Sequence, residues 1–285
     1  MSVARRLEAL GLMRTVLDDA VGQLGSGARR WDARVGSGQG LDALLREHDA
    51  AIAAEDDEIS GQSASNSDPF RPSDYTGLLM HALRLRAGEF GHGSGLDMGV
   101  GSGVLLGTLG LLGVERLCGV DIDPAAIQAT DGLLRGMGLL DRTRLLLGSL
   151  WEPLGAERFD VVVANLPHFA ATEPSDPDRS PYWSMGGADG RRLLDPFLAG
   201  LSAHLRDDGK AFITHNAFVG RARTEAMLAG QGLAARAVLS TTVPLHPTKT
   251  ALLRPEVRAR YTGAGISRVG PYEFADVQIL EICRA

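Results

Sequence analysis

The stretch that most constrains this chain is Gly95-Leu96-Asp97-Met98-Gly99-Val100-Gly101-Ser102-Gly103, where a short apolar run breaks into alternating glycines and then into the apolar segment 104–112. Glycine tolerates positive φ and lets another group approach its backbone where a β-carbon would collide. The run therefore predicts a strand, a tight ligand-accessible turn and a helix. Of 36 glycines, ten fall between residues 91 and 119, so that permissiveness is concentrated at one place. A second apolar run, Arg116–Asp121, then ends on an acid. Strand, glycine turn, helix and a strand closing on a carboxylate make a βαβ unit suited to a nucleoside cofactor, with Asp121 placed for a ribose diol. A purely structural βαβ unit stays open beside that reading. The spacing is GxGxG, with Val104 where a dinucleotide loop wants its third glycine, and this disfavours a nicotinamide-dependent oxidoreductase.

The rest of the chain fits an α/β fold. Short β-branched or leucine-rich runs alternate with amphipathic segments, giving candidate strands at Gly95–Val100, Arg116–Asp121, Arg144–Leu147, Phe159–Ala164, Lys210–Thr214, Ala235–Thr242 and Val277–Cys283, with a helix at Pro255–Tyr261. Upstream, Val3, Leu7, Leu10, Met13, Leu17, Val21 and Leu24 recur at helical spacing, and a second helix is expected near 41–56. The polar joint GQSASNSD then sets a domain boundary near residue 68, leaving a helical N-terminal extension over 1–68 and the α/β domain over 69–285. The extension reads equally as a packing cap or a substrate-selecting lid.

An apolar fraction of 44% and a charged fraction of 22% exclude a chain disordered throughout. The net charge of −6 offers no footprint for a nucleic-acid backbone, so nucleic acid is not an expected partner. Cys118 and Cys283 do not make a disulfide framework, no apolar run is long enough for a membrane span, and the first residues lack a signal-peptide core. A soluble, cytoplasmic protein is the expectation. No metal-ligand spacing and no serine-nucleophile elbow is present, so no metal is expected.

Asp97-Met98-Gly99-Val100-Gly101-Ser102-Gly103 followed by Gly119-Val120-Asp121-Ile122-Asp123-Pro124 resembles the first two motifs of the class I S-adenosylmethionine-dependent methyltransferases. The resemblance implies a Rossmann-like seven-stranded sheet with flanking helices and an antiparallel last strand. It also implies that Gly99, Gly101 and Gly103 line the amino-acid end of S-adenosyl-L-methionine, that Asp97 holds its ammonium, that Asp121 binds the ribose, that Ser149 lies near the adenine, and that Ile122 and Leu150 also border the cofactor. The charges agree, since Asp97 would attract an ammonium and repel a pyrophosphate.

The run Phe159-Asp160-Val161-Val162-Val163-Ala164-Asn165-Leu166-Pro167-His168-Phe169 resembles the fourth motif of N-methyltransferases in this class, usually Asn/Asp-Pro-Pro-aromatic. That resemblance makes Asn165, Leu166, Pro167 and His168 the candidate catalytic residues. The Asn165 side-chain carbonyl and the Leu166 main-chain carbonyl would accept the two hydrogens of a target NH2, aiming its lone pair at the methyl, and Asn165 would also border the cofactor. An aromatic ring in the fourth position stacks on a planar substrate group. For His168, substrate contact, general base and ordinary loop residue all stay open. His215 and Asn216, past the strand at 210–214, are further candidates for ligand contact.

With Phe70-Arg71-Pro72 upstream and Gly186-Gly187-Ala188-Asp189-Gly190 downstream, residues 70–240 resemble the release-factor glutamine methyltransferase family. Three positions depart from its pattern: Leu166 replaces a proline, His168 an aromatic ring, and Ser149 an acid or other polar residue. Those departures tilt the expectation towards transfer to an amino or amide nitrogen of a small molecule, with a protein glutamine, as in release factors, as the alternative. A non-catalytic cofactor-binding protein is a rival of another class. The loop 170–188, with Glu173, Asp176, Asp178, Tyr182 and Trp183, reads as a surface loop or a lid attracting a cation. The segment 240–277 is longer than a plain hairpin and has room for substrate or a second copy of the chain in a homodimer.

Overall fold

Five parallel strands bring the glycine turn and the Asn165 turn to one end of a single sheet. The protein is seen here in a computed structural model that describes residues 71–91, 93–170, 186–245, 253 and 255–285, all within the second of two units of the chain, Ser67–Ala285. The expected N-terminal helices, the boundary near 68, and Glu173, Asp176, Asp178, Tyr182 and Trp183 lie outside the described residues. Strands β1 (Ser94–Met98), β2 (Arg116–Asp121), β3 (Thr143–Leu147), β4 (Phe159–Ala164) and β5 (Leu205–Asn216) pair in the order 3-2-1-4-5, all parallel. Beyond β5 come β8 (Tyr272–Arg284), antiparallel, and β6 (Leu233–Leu245) at the far edge.

Alternation along β4 shows why both faces are covered. Val162 and Ala164 pack with Leu194, Phe197, Leu198 and Leu201 of α4 (Leu194–His204) and with Leu228 of α5 (Arg221–Ala229). Val161 and Val163 face the other way, into a cluster with Leu79 and Leu83 of α1 (Asp74–Arg84), Leu105, Leu106 and Leu109 of α2 (Val104–Leu111), and Leu134 of α3 (Pro124–Gly136). A strand buried on both faces has no polar side to show, which is why β4 reads as an unbroken valine run.

The seven expected strands are present, and the sheet holds an eighth, β7 (Ile266–Val269), antiparallel to β8. It was missed because only Ile266 is buried and the rest is exposed, so no alternation marks it. β8 pairs with β6 along one edge over Glu273–Arg284, so β5 and β7 share its other edge, β5 over Val277–Ile282 and β7 over Tyr272–Ala275. β7 thus stands in line beyond the carboxyl end of β5, on the side of the sheet where ligands bind in such folds. β5 begins five residues before its expected start, at Leu205. The polar run Arg206-Asp207-Asp208-Gly209 resembles a turn, but it is accommodated by a register shift against β4 between Phe159 and Val161. The helix at 255–261, α6, has its expected bounds. No described helix is long and apolar enough to cross a membrane.

Candidate active site

At the carboxyl ends of β1, β2 and β4 lies a cleft enclosing about 750 Å³, open mouth included. Gly99, Gly101, Asp121, Ile122, Ser149, Leu150, Asn165, Leu166 and Pro167 all line it, and Met98, Val120, Asp123, Gly148 and Leu193 complete the wall. Asp97, Gly103 and His168 are not on its surface.

The glycine turn is held from several directions. Gly99 N–H and Val100 N–H donate to Val120 O at 2.8 and 3.0 Å, which ties the turn to β2. Asp121 closes the clasp: its Oδ2 accepts from Gly101 N–H and its Oδ1 from Asp123 N–H, both at 2.9 Å. Burial raises the Asp121 carboxyl above its usual range, and the amides of Asp123 and Gly101 offset part of that rise. From α3, Thr130 Oγ1 donates to Gly101 O at 3.1 Å. Gly103 begins α2 behind the turn at φ +79°, where an added β-carbon would lie 2.9 Å from Thr130. This residue therefore permits close helix packing rather than ligand approach.

Asp97 is fully buried on β1, and neither of its oxygens has a hydrogen-bond partner. Burial, then the nearby Asp121 charge, pushes its carboxyl well above the ordinary range; the Leu106 amide offsets this only in part, at a geometry short of a hydrogen bond. Two orphaned acceptors under a glycine turn fit a ligand that brings a cation, as the ammonium of S-adenosylmethionine would. Because the fold holds this proton more tightly than the unfolded chain, Asp97 supports the fold at acid pH. That support is lost as pH rises from about 4 through the raised folded value. Asp97→Asn, free of ligand, is therefore expected to lose less stability than the wild type between about pH 5 and about pH 8 in urea titrations. Equal slopes would show that Asp97 titrates as an exposed aspartate does.

Asn165 follows β4 directly, and two hydroxyls fix its side chain. Its Nδ2 donates to Thr76 Oγ1 at 3.2 Å, and its Oδ1 accepts from Thr214 Oγ1 at 2.9 Å. Thr214 comes from the neighbouring strand β5 and Thr76 from the first turn of α1. Sequence reading missed both, as well as α1 itself. The available signal was the capping box Ser73-Asp74-Tyr75-Thr76, in which the Ser73 and Thr76 side chains each accept from the other's backbone N–H. Next to Thr76, Tyr75 donates its hydroxyl to the buried Asn216 Oδ1 at 3.2 Å, and burial pushes the phenol up to about 12.

His215 is buried with Nε2 3.0 Å from Thr224 Oγ1, and burial pushes its pKa down to about 3. Thr224 Oγ1 accepts from Arg191 Nη1 at 3.0 Å, so its own proton is available to a neutral His215. His215 and Asn216 thus serve the buried structure behind the cleft and do not line it.

The turn 186–190 backs the Asn165 segment. Gly186 N–H donates to Phe169 O at 2.9 Å, and Gly190, at φ +76°, has no room for a side chain, since a β-carbon would lie 2.5 Å from His168 O. Backbone cannot yield there as a flexible side chain could. Gly190→Ala is expected to destabilise the protein by at least ~2 kcal/mol, from the left-handed conformation and the collision together, as read by urea unfolding. A loss under about 0.5 kcal/mol would mean the turn relaxes freely.

Among the described residues no group of three or more His, Cys, Asp or Glu side chains could hold a metal ion. The cleft thus brings the glycine turn, the Asp121 carboxyl and the Asn165-Leu166-Pro167 turn to one place.

The profile of the ribosomal protein L11 methyltransferase (PrmA) family matches residues 81–168. A ribosomal protein L11 methyltransferase of Geobacter sp. (strain M21) is 41% identical over 96 residues, 32% of this chain and 30% of that protein. The ribosomal protein uL3 glutamine methyltransferase of Bordetella pertussis is 33% identical over 120 residues, 40% of each chain. This chain thus spans well under half the length of either relative. In fold, it is similar to the Thermus thermophilus 16S rRNA N2 G1207 methyltransferase (RsmC), described in complex with AdoMet and guanosine, at a TM-score of 0.51 and 21% identity, covering 75% of this chain and 44% of that one. The described residues thus share the fold of class I S-adenosylmethionine-dependent methyltransferases, and residues 81–168 are similar to the ribosomal protein L11 methyltransferase family.

Proposed function

We propose that this chain transfers a methyl group from S-adenosyl-L-methionine to the side-chain amide nitrogen of a glutamine in a protein of the translation apparatus. One observation carries the reading: the Asn165-Leu166-Pro167 turn lines the same cleft as the glycine turn and Asp121. The bound cofactor supplies an electrophilic methyl on a sulfonium. The chain supplies position. Gly99 and Gly101 admit the amino-acid end, the Asp97 carboxyl buried beneath their turn offsets the charge of the ammonium without lining the cleft, and Asp121 meets the ribose. Asn165 Oδ1 and Leu166 O accept the two amide hydrogens of the glutamine and turn its nitrogen towards the methyl. The nitrogen's surplus proton leaves to solvent after transfer, so no general base is needed.

The small-molecule acceptor expected from the three departures has no support among the relatives, one of which is named for glutamine methylation of a ribosomal protein. A translation protein as acceptor implies a cytoplasmic enzyme. The test is incubation of the full chain with methyl-labelled cofactor and, separately, purified L11, uL3 and a release factor, followed by peptide mass spectrometry. One added methyl on a glutamine of any of them is the expected result. Label that enters only small amines or amides of a lysate, and no protein, would overturn the protein reading.

A further inference from the structure

Two departures in the Asn165 turn are Leu166, where a proline would fix the backbone, and His168, where an aromatic ring is usual. The structure joins them. The His168 imidazole is buried away from the cleft, 7% exposed, with Nδ1 2.7 Å from Leu166 O. A carbonyl has no proton to give, so Nδ1 must carry the hydrogen and donate it. The ring is also held from the side: Tyr75 packs edge-on against it, with centroids 5.6 Å apart, and Tyr75 is itself anchored to Asn216. Behind it, Gly190 closes on the His168 carbonyl. His168 therefore has a backed main chain, a packed ring and one directed N–H.

We infer that His168 is a positioning residue whose imidazole staples the Leu166 carbonyl, taking over the restraint that a proline at 166 would provide. This rests on the methyl-transfer reading above, in which Leu166 O accepts an amide hydrogen. A proline restrains the turn from within, by locking its own φ near about −65°. The staple restrains the same carbonyl from two residues downstream and uses one of its two lone pairs, which leaves the other for the substrate. An acceptor adrift by ~1 Å loses on the order of a hundredfold in rate, so a carbonyl freed from both restraints is a costly defect.

Two measurements on the full chain test this. In long-range proton–nitrogen NMR spectra, with His168 assigned by its loss in His168→Phe, Nδ1 is expected to be protonated. An unprotonated Nδ1 overturns the staple whatever the reaction is. In turnover assays with methyl-labelled cofactor and whichever of L11, uL3 or release factor is methylated, His168→Phe is expected to lower kcat about ten- to a hundredfold, with the cofactor KM within about twofold. In a Leu166→Pro background the same His168→Phe change is expected to cost no more than about twofold, because the proline already supplies the restraint. An equal loss in both backgrounds, or no loss in the first, overturns the proposal. If the wild type methylates none of the three proteins, the functional reading fails and the protonation of Nδ1 alone decides the staple; the same measurement decides it should Leu166→Pro not fold.

Discussion

Asn165→Ala is expected to lower turnover by about 10²–10³-fold while the protein still binds cofactor, because in the proposed mechanism it removes one of the two acceptors that aim the substrate nitrogen. The loss should fall on kcat, since the acceptor works on geometry at the reacting atom, and calorimetry with S-adenosylhomocysteine should show only a few-fold change in affinity. The substitution also strips a partner from Thr76 and from the buried Thr214, a cost of roughly 1–3 kcal/mol in stability. Melting temperature must therefore be followed alongside rate. Asn165→Asp separates the two effects: it keeps an acceptor for Thr214 and loses the donor to Thr76. Wild-type turnover by a folded, cofactor-bound Asn165→Ala protein would rule out the positioning mechanism.

The second large effect is at Asp121. Its carboxylate has two tasks, the clasp on Gly101 and Asp123 seen in the structure and the ribose contact proposed for it. Asp121→Ala is expected to weaken S-adenosylhomocysteine binding by at least 10–100-fold, the range of one or two lost charge-assisted hydrogen bonds. Asp121→Asn distinguishes the tasks. An amide keeps one oxygen acceptor and a similar shape but turns its NH2 towards one of two backbone N–H donors, so the clasp is half broken with little change in volume. Unchanged affinity in the alanine variant would remove Asp121 from the ribose site.

The parts of the molecule legible in the sequence are those whose local chemistry admits one answer. The glycine turn could be read because alternate glycines after an apolar strand have few structural uses, and β4 because a valine run bounded by Asp160 and Asn165 is too short for a helix. The placement of nine candidate residues around one cleft follows from that frame, since parallel strands bring their carboxyl ends together. What escaped was relational. Thr76 lies 89 residues before Asn165, and nothing local distinguishes a threonine that caps a helix from one that also holds a distant amide. His168 invited interpretation as a surface to stack upon, whereas its ring is spent on the carbonyl two residues back. His215 looked like a ligand contact because it lies near the end of a strand, but its imidazole is buried and bonded to Thr224 of α5.

On the proposed reading of the site, the buried Asp97 carboxyl under the glycine turn also ties the lifetime of this protein to the supply of its cofactor. A buried Asp97 without partners is a liability of the empty fold, and a ligand that satisfies it binds the folded state alone, raising stability with the logarithm of its free concentration. The share of chains open to unfolding and proteolysis is then set by the cell's ratio of free cofactor to its dissociation constant. Methyl-donor scarcity would thin the population of the enzyme before it slowed each molecule. A site adapted to hold a cation would in this way serve as the chain's own gauge of methyl supply.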